Sequence, residues 1–370
     1  MAAHRKHPLE LRDRAVRTEV RTADPKQHRK GPGPGVLLAA ARPGPPARPR
    51  LTMPHLTATR DRAPHADQWL SGCEVTSTVR PWAGLLCVRR SGTRPVSPRR
   101  LLMPKVSGPY APGTPCWVDL MVPDQQAALD FYRDLFGWQG EVGPPETGGY
   151  ALCSLNGQPV AGIMAAMNPD GSTPDPMPPT VWTTYLATAD LDATEKKSAS
   201  NGGQVMVPGM DVMTLGRMAV ASDPTGAVFG LWQAKDFPGA GIVNEPGAII
   251  WNELNTSDTD AASSYYSKTL GITAAAMEEA DGYFALNVDG RTVGGMQALS
   301  GIDGLPPGTP SHWLTYFAVD DTDSTVDALI RAGGTVLKPP FDMMAGRMAV
   351  VQDPQGGVFA IIKATGPEAA

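Results

Sequence analysis

The chain has 370 residues with 32 Lys+Arg against 37 Asp+Glu, and these totals hide two unlike pieces. Positions 1–103 hold 20 basic and 7 acidic residues, net +13, and only two of the 24 aromatic residues, Trp69 and Trp82; the other 267 positions hold 12 and 30, net −18. No apolar run approaches the ~18 residues of a membrane span, and Cys73, Cys87, Cys116 and Cys153 lack the spacing of a zinc knuckle or a disulfide framework, so both classes are excluded and a cytoplasmic location is expected.

Arg supplies 17 of the 20 basic residues of the first segment, mixed with Pro and Gly as in 31–35 and 43–46. Such a composition cannot bury enough apolar surface to offset its chain entropy. The expectation for 1–103 is an unstructured extension, or text preceding a translation start at or just upstream of Met103. A nucleic-acid arm, the other use of clustered Arg, is disfavoured because acids are interspersed and the remaining chain is acidic.

Beyond it, residues 117–122 read as a strand. Asp124 can cap a helix whose apolar side is Ala128, Phe131, Tyr132 and Leu135, and Gly137 can stop it. Tyr150–Leu155 and Val160–Met164 read as strands joined by an Asn156-Gly157 turn. A Pro-rich loop, Asn168–Pro179, leads to a strand at Val181–Ala187. A weaker helix follows Asp190 and ends at Gly202-Gly203, and strands at 204–207, 217–221 and 227–232 complete the unit.

The unit then repeats. Trp117-Val118-Asp119-Leu120 returns as Trp251-Asn252-Glu253-Leu254, and Phe131-Tyr132 as Tyr265-Tyr266. Val160-Ala161-Gly162 returns as Val293-Gly294-Gly295, and Gly216-Arg217-Met218-Ala219-Val220 recurs unchanged from Gly346 to Val350. Asp-Pro-x-Gly follows each time, from Asp223 and from Asp353. The second copy's later helix carries Val326, Leu329 and Ile330 and stops at Gly333-Gly334. Two domains, 113–235 and 247–364, are therefore expected in tandem, joined by a linker over 236–246.

The text from Asp124 to Trp138, the Asn-Gly turn and the Asp-Pro-x-Gly-x-x-Phe ending resemble the vicinal oxygen chelate superfamily of glyoxalases, bleomycin-resistance proteins and extradiol dioxygenases. The tandem blocks look most like actinobacterial two-domain glyoxalase-like proteins related to mycobacterial culture-filtrate antigens. The resemblance covers roughly 113–364. It implies an α+β fold of two tandem glyoxalase-like domains, each of paired βαβββ modules forming a curled mixed-sheet cup for metal and substrate. The family's metal ligands sit on the first strand of a module and near the end of its last strand. By the family's spacing those places fall on Trp117, Thr183 and Gly230 in the first domain, and on Trp251, Leu314 and Ala360 in the second. None offers the imidazole or carboxylate that divalent metals take, and His312 is the one histidine in the two domains. No metal or other cofactor is expected, with a divalent metal on unfamiliar ligands as the alternative.

Strand alternation puts Val118, Leu120 and Val122 on one face of the first strand and Trp117, Asp119 and Met121 on the other. The second domain offers Trp251, Glu253 and Asn255. A Trp with a carboxylate two residues on suits a ligand pocket with an aromatic wall and a proton or hydrogen-bond acceptor; it also suits an ordinary lining pair whose carboxylate bonds Arg217 or Arg347. Tyr185 and Tyr316 share the open face, whereas Trp182 and Trp313 fall on the core side. Candidate ligand-binding residues are thus Trp117, Asp119, Tyr185, Arg217, Trp251, Glu253, Tyr316 and Arg347. Asp119, Glu253 and His312 are the catalytic candidates, and His312 has Val181 as its counterpart in the first domain. Methionines such as Met206, Met210, Met343 and Met344 suit an adaptable apolar cleft or core gaps, and the loops Asn168–Pro179 and Ser300–Pro310 suit lids or connectors. The leading expectation is a protein binding a small organic molecule in metal-free cups; the alternatives are a lyase, isomerase or oxygenase of the same superfamily and, disfavoured, nucleic-acid binding through the basic segment. No membrane partner is expected, and a homodimer is left open.

Overall fold

The computed structural model describes residues 106, 108–168, 170–278 and 280–365. The expected basic extension over 1–103 lies outside the described residues. The first sheet comprises β1 (Pro115–Val122), β2 (Ala151–Leu155), β3 (Gln158–Ala165), β4 (Val181–Ala187), β5 (Gln204–Val212), β6 (Gly216–Ser222) and β7 (Val228–Ala234), with helices α1 (Gln125–Phe136) and α2 (Leu191–Ser200). The second comprises β8 (Ile249–Thr256), β9 (Thr273–Ala276), β10 (Tyr283–Val288), β11 (Arg291–Ala298), β12 (His312–Ala318), β13 (Thr335–Met343), β14 (Gly346–Gln352) and β15 (Val358–Ala364), with α3 (Thr259–Leu270) and α4 (Thr322–Arg331). Strand orders are β2-β3-β1-β4-β7-β6-β5 and β13-β14-β15-β12-β8-β11-β10-β9. Both sheets are mixed: β1 runs parallel to β3 and antiparallel to β4, and β8 does the same with β11 and β12. These are two tandem α+β domains of paired modules, and each sheet is open, with β2 and β5, or β13 and β9, at its edges.

The local signals act as anticipated. Asp124, Asp190, Asp258 and Asp321 each accept a backbone N–H of the first turn, satisfying donors that a helix start leaves free. Gly137 and Gly271 end α1 and α3 in the left-handed region, at φ 77° and 74°. Asn156 and Gly157 (φ 53° and 73°) make the two-residue turn between β2 and β3. Three details differ from the sequence reading. Strand β5 runs on to Val212, because a register shift between Val207 and Met210 accommodates Pro208 on an edge strand. Strand β9 was not anticipated. Ile330 is 52% exposed, so α4 buries Val326 and Leu329 without it.

The sheets pack through the faces carrying Leu120 and Leu254, and the packing is crossed between modules. Helix α1 sends Tyr132 and Phe136 among Trp182, Phe317 and Phe359, while α3 sends Tyr265 and Tyr266 against Phe229. Phe229 and Phe359 end the two Asp-Pro-x-Gly-x-x-Phe motifs, so each motif receives the other domain's first helix. Polar groups close the seam. The Tyr132 hydroxyl donates to Asp353 Oδ2 at 2.8 Å and accepts from Trp182 Nε1 at 3.2 Å. Gln355 exchanges two 2.8 Å bonds with the backbone of Asp124. Thr184 Oγ1 donates to Asn252 Oδ1 at 2.8 Å. Among the described residues no helix is long and apolar enough to cross a membrane.

Candidate functional site

The sheet faces turned away from this seam carry the candidate residues. On β1, Trp117 and Asp119 alternate with the core residues Val118 and Leu120, and register places Trp117 beside Tyr185 and Asp119 between Thr183 and Gly162. Trp117 Nε1 donates to the Tyr150 hydroxyl at 2.8 Å, which donates on to Asp119 Oδ2 at 3.5 Å. The second sheet repeats the arrangement. Trp251 Nε1 donates to the Tyr283 hydroxyl at 3.0 Å, which donates to Glu253 Oε2 at 2.9 Å, and Gln297 Nε2 donates to Glu253 Oε1 at 2.9 Å. Glutamate's extra methylene accounts for the tighter contact in this copy.

Glycines make room for the rings. A Cβ on Gly162 would fall 1.7 Å from the Tyr150 hydroxyl oxygen, and one on Gly295 would fall 1.8 Å from that of Tyr283. A Cβ on Gly230 would fall 2.1 Å from the Tyr185 ring. Gly230 stands where the family pattern puts a metal-binding Glu, so the Tyr185 ring fills the space a Glu side chain would need. Ala360 is the register partner of Tyr316 in the second sheet. Trp117, Thr183 and Gly230, and their counterparts Trp251, Leu314 and Ala360, therefore do not fit the family's metal. Among the described residues no three His, Cys, Asp or Glu side chains are grouped to hold one elsewhere.

Burial dominates the electrostatics. Asp119 and Glu253 are each 4% exposed, and withdrawal from water penalises the charged carboxylate. The Asp119 carboxyl is pushed up to about 7, the burial effect being partly offset by hydrogen bonds from Tyr185, Tyr150 and Thr183. Glu253 is raised for the same reason, offset by Tyr283, Gln297, Tyr316 and Asn255. The phenols of Tyr150, Tyr185, Tyr283 and Tyr316 are held well above their ordinary range, by burial first and by the neighbouring carboxylate second. Each centre is a buried carboxyl raised above its ordinary range and surrounded by neutral donors.

Of the residues expected at a site, Trp117, Asp119 and Tyr185 come together in one sheet and Trp251, Glu253 and Tyr316 in the other. Arg217 and Arg347 do not join them. Arg217 pairs with Asp192 at 2.9 Å and lies 4.0 Å from Asp211; Arg347 pairs with Asp323 at 2.5 Å and with Asp342 at 3.1 Å. Ala219 and Ala349, two residues on, are fully buried in the core, so alternation puts both arginines on the helix-covered side. Among the described residues neither Asp119 nor Glu253 has an ion-pair partner. His312 is partly exposed at the start of β12, its Nδ1 2.9 Å from Pro310 O and its Nε2 3.5 Å from Asn255 Nδ2. Trp182 and Trp313 lie on the core side, bonded to Tyr132 and Tyr266. The sequence reading missed Tyr150 and Tyr283, which occupy matching places in the repeat and could have been found there, and Gln297, which has no like counterpart; it placed Asn255 on this face without giving it a role. Two surface depressions, one lined by Gln126, Leu129 and Trp138 and one by Tyr110, Val288 and Arg291, include neither carboxylate.

The protein CFP32 of Mycobacterium tuberculosis, which carries the name of a glyoxylase, is 46% identical over 266 residues, covering 70% of this chain and 98% of that protein. The anthracycline biosynthesis protein DnrV of Streptomyces peucetius is 38% identical over 264 residues, covering 69% and 94%. Among solved structures, the Mn(II)-bound glyoxalase of Novosphingobium aromaticivorans aligns with a TM-score of 0.45 at 16% identity, covering 68% of this chain and 82% of that one. The Glyoxalase/Bleomycin resistance protein/Dioxygenase superfamily profile matches twice, over residues 116–231 and 248–361, and the chain belongs to that superfamily.

Proposed function

We propose that the chain binds a small, largely apolar organic molecule on the open face of one or both sheets, without a resident metal. The observation that carries this reading is the closed Trp–Tyr–carboxylate network occupying the family's metal position in both copies. It leaves no donor set there and presents aromatic walls around a buried carboxyl. Around it the first sheet exposes Leu152, Val181, Val228 and Met210, side chains suited to a flat hydrocarbon surface. Kinship with proteins named for anthracycline biosynthesis supports a polycyclic aromatic ligand class.

A second reading is favoured by one feature. With its carboxyl near 7, Asp119 is poised to give or take a proton at neutral pH, which suits a lyase or isomerase; kinship with a protein named a glyoxylase supports the same reading. One preparation tests both. The purified full chain should quench its tryptophan fluorescence saturably with 2-hydroxyanthraquinone while elemental analysis finds no stoichiometric Zn, Ni, Fe or Mn. Stoichiometric metal would overturn the metal-free reading, absence of saturation would overturn binding of this ligand class, and turnover lost in Asp119→Asn would establish the second reading.

A further inference from the structure

The two open faces share a floor and differ at one corner. In the first sheet the residue beyond the carboxylate is Met121, flanked in register by Met164 on β3 and Val181 on β4. In the second sheet it is Asn255, flanked by Gln297 on β11 and His312 on β12. Three apolar side chains are thus replaced by three polar ones beside an otherwise matching centre.

The hydrogen bonds of the polar corner do not close. Gln297 spends its Nε2 on Glu253. Pro310 O can only accept, so His312 Nδ1 carries a hydrogen toward it, and in the neutral ring Nε2 is left as an acceptor. Asn255 therefore turns its Nδ2 toward that nitrogen, at 3.5 Å. Its Oδ1 is left buried with no hydrogen-bond partner, in a side chain only 1% exposed. Buried carbonyl oxygens are rarely left unpaired, and what this one lacks is a donor. Gln297, His312 and Tyr283 around it are each partly exposed, which leaves the corner open at its rim.

We propose that the second sheet's face takes a ligand that donates a hydrogen bond, through a hydroxyl or N–H group, to Asn255 Oδ1 beside the acceptor nitrogen of His312, whereas the first sheet's face, apolar at that corner, makes no such demand. The inference rests on the reading of these faces as ligand sites and adds the chemistry that one of them selects. A hydroxylated aromatic satisfies it; the same ring system with the hydroxyl methylated does not.

The test compares 2-hydroxyanthraquinone with 2-methoxyanthraquinone by isothermal titration at pH 7, using the full chain and the double variant Asn255→Met, His312→Val. That variant installs in the second domain the residues that the first already carries at the same places, Met121 and Val181, so the fold has a precedent for it. The hydroxyl compound should bind the native chain about tenfold more tightly at one site per chain, the discrimination expected of one buried hydrogen bond. The double variant should bind both compounds alike. Equal affinity for the two compounds in the native chain would overturn the donor requirement and leave ligand binding standing. Retained discrimination in the double variant would overturn the assignment to this corner. Binding of neither compound would overturn the ligand-site reading and the inference with it.

Discussion

Replacing Asp119 by Asn isolates the energetics of the buried acid. The side chain is 4% exposed, and burial holds its carboxyl near 7 despite three hydrogen-bond donors. An unfolded aspartate titrates near 3.9. The folded chain therefore keeps the proton more tightly, and the stability this group contributes is complete below about pH 4 and is lost as pH rises through about 7. Three pKa units at 1.36 kcal/mol each make a total of about 4 kcal/mol, of which about 3 kcal/mol falls between pH 5 and pH 8. The Asn side chain does not titrate, so Asp119→Asn should escape this loss. Glu253, also raised, is present in both proteins and cancels from the comparison. At roughly 2–4 °C per kcal/mol for a body of this size, thermal unfolding should show the native chain losing about 5–10 °C more than the variant over that interval. Parallel pH curves for the two proteins would refute the argument that burial, with no compensating cation, sets the protonation of this centre.

Three further outcomes follow from the geometry. Tyr132→Phe removes the donor to Asp353 Oδ2 across the seam, in a side chain 4% exposed, and should cost about 1.5–3 kcal/mol in urea unfolding; an unchanged midpoint would show that the bond does not hold the domains together. Gly230→Glu restores the family carboxylate in sequence, yet its Cβ meets the Tyr185 ring at 2.1 Å, so the expected result is overpacking of about 1–3 kcal/mol and no metal uptake; a stable variant that copurifies with metal would refute the steric account. Arg217→Ala and Arg347→Ala should leave anthraquinone affinity unchanged, because both guanidinium groups pair with surface aspartates behind the sheet; a tenfold loss in titration would place them at the ligand.

What was legible in the sequence was whatever depends on local pattern. The capping aspartates, the Gly stops, the Asn-Gly turn and the alternation that sorts Trp117 and Asp119 from Val118 and Leu120 each rest on neighbours within a few residues. The arginines were misplaced for want of one more step of the same alternation: Ala219 and Ala349 are small enough to be core residues, and counting back two from either puts the Arg on the covered side. The partners of the carboxylates were illegible for another reason. Tyr150 reaches Asp119 only because β3 lies parallel to β1 and β2 folds back across it, with Gly162 leaving the space. That is a long-range register relation, which strand propensity does not carry. The crossed seam was hidden likewise. The aromatic pair of each first helix, Phe131-Tyr132 or Tyr265-Tyr266, reads as the apolar stripe of its own domain, whereas the rings it meets include Phe359 or Phe229 of the other.

The aromatic floor and the misfit to the family's metal are two aspects of one packing choice. A carboxylate at position 230 and the Tyr185 ring claim the same volume, so the chain can have one or the other, and Gly230 records which. In the second sheet Ala360 beside Tyr316 reaches a comparable arrangement with a different small residue. Once the ring lies there, its neighbour Asp119 or Glu253 is buried and raised in pKa, and the donors around it, Tyr150, Tyr185 and Thr183 in one sheet and Tyr283, Tyr316, Gln297 and Asn255 in the other, offset that burial without bringing charge. A floor held by packing, burial and hydrogen bonds at once leaves little freedom to change singly. The rim is freer, since Met121 and Val181 in one sheet stand where Asn255 and His312 stand in the other, while Gln297, in the place of Met164, belongs to the floor through its 2.9 Å bond to Glu253. Selectivity between ligands should therefore be sought at the rim, and the floor should respond to substitution chiefly through stability and its dependence on pH.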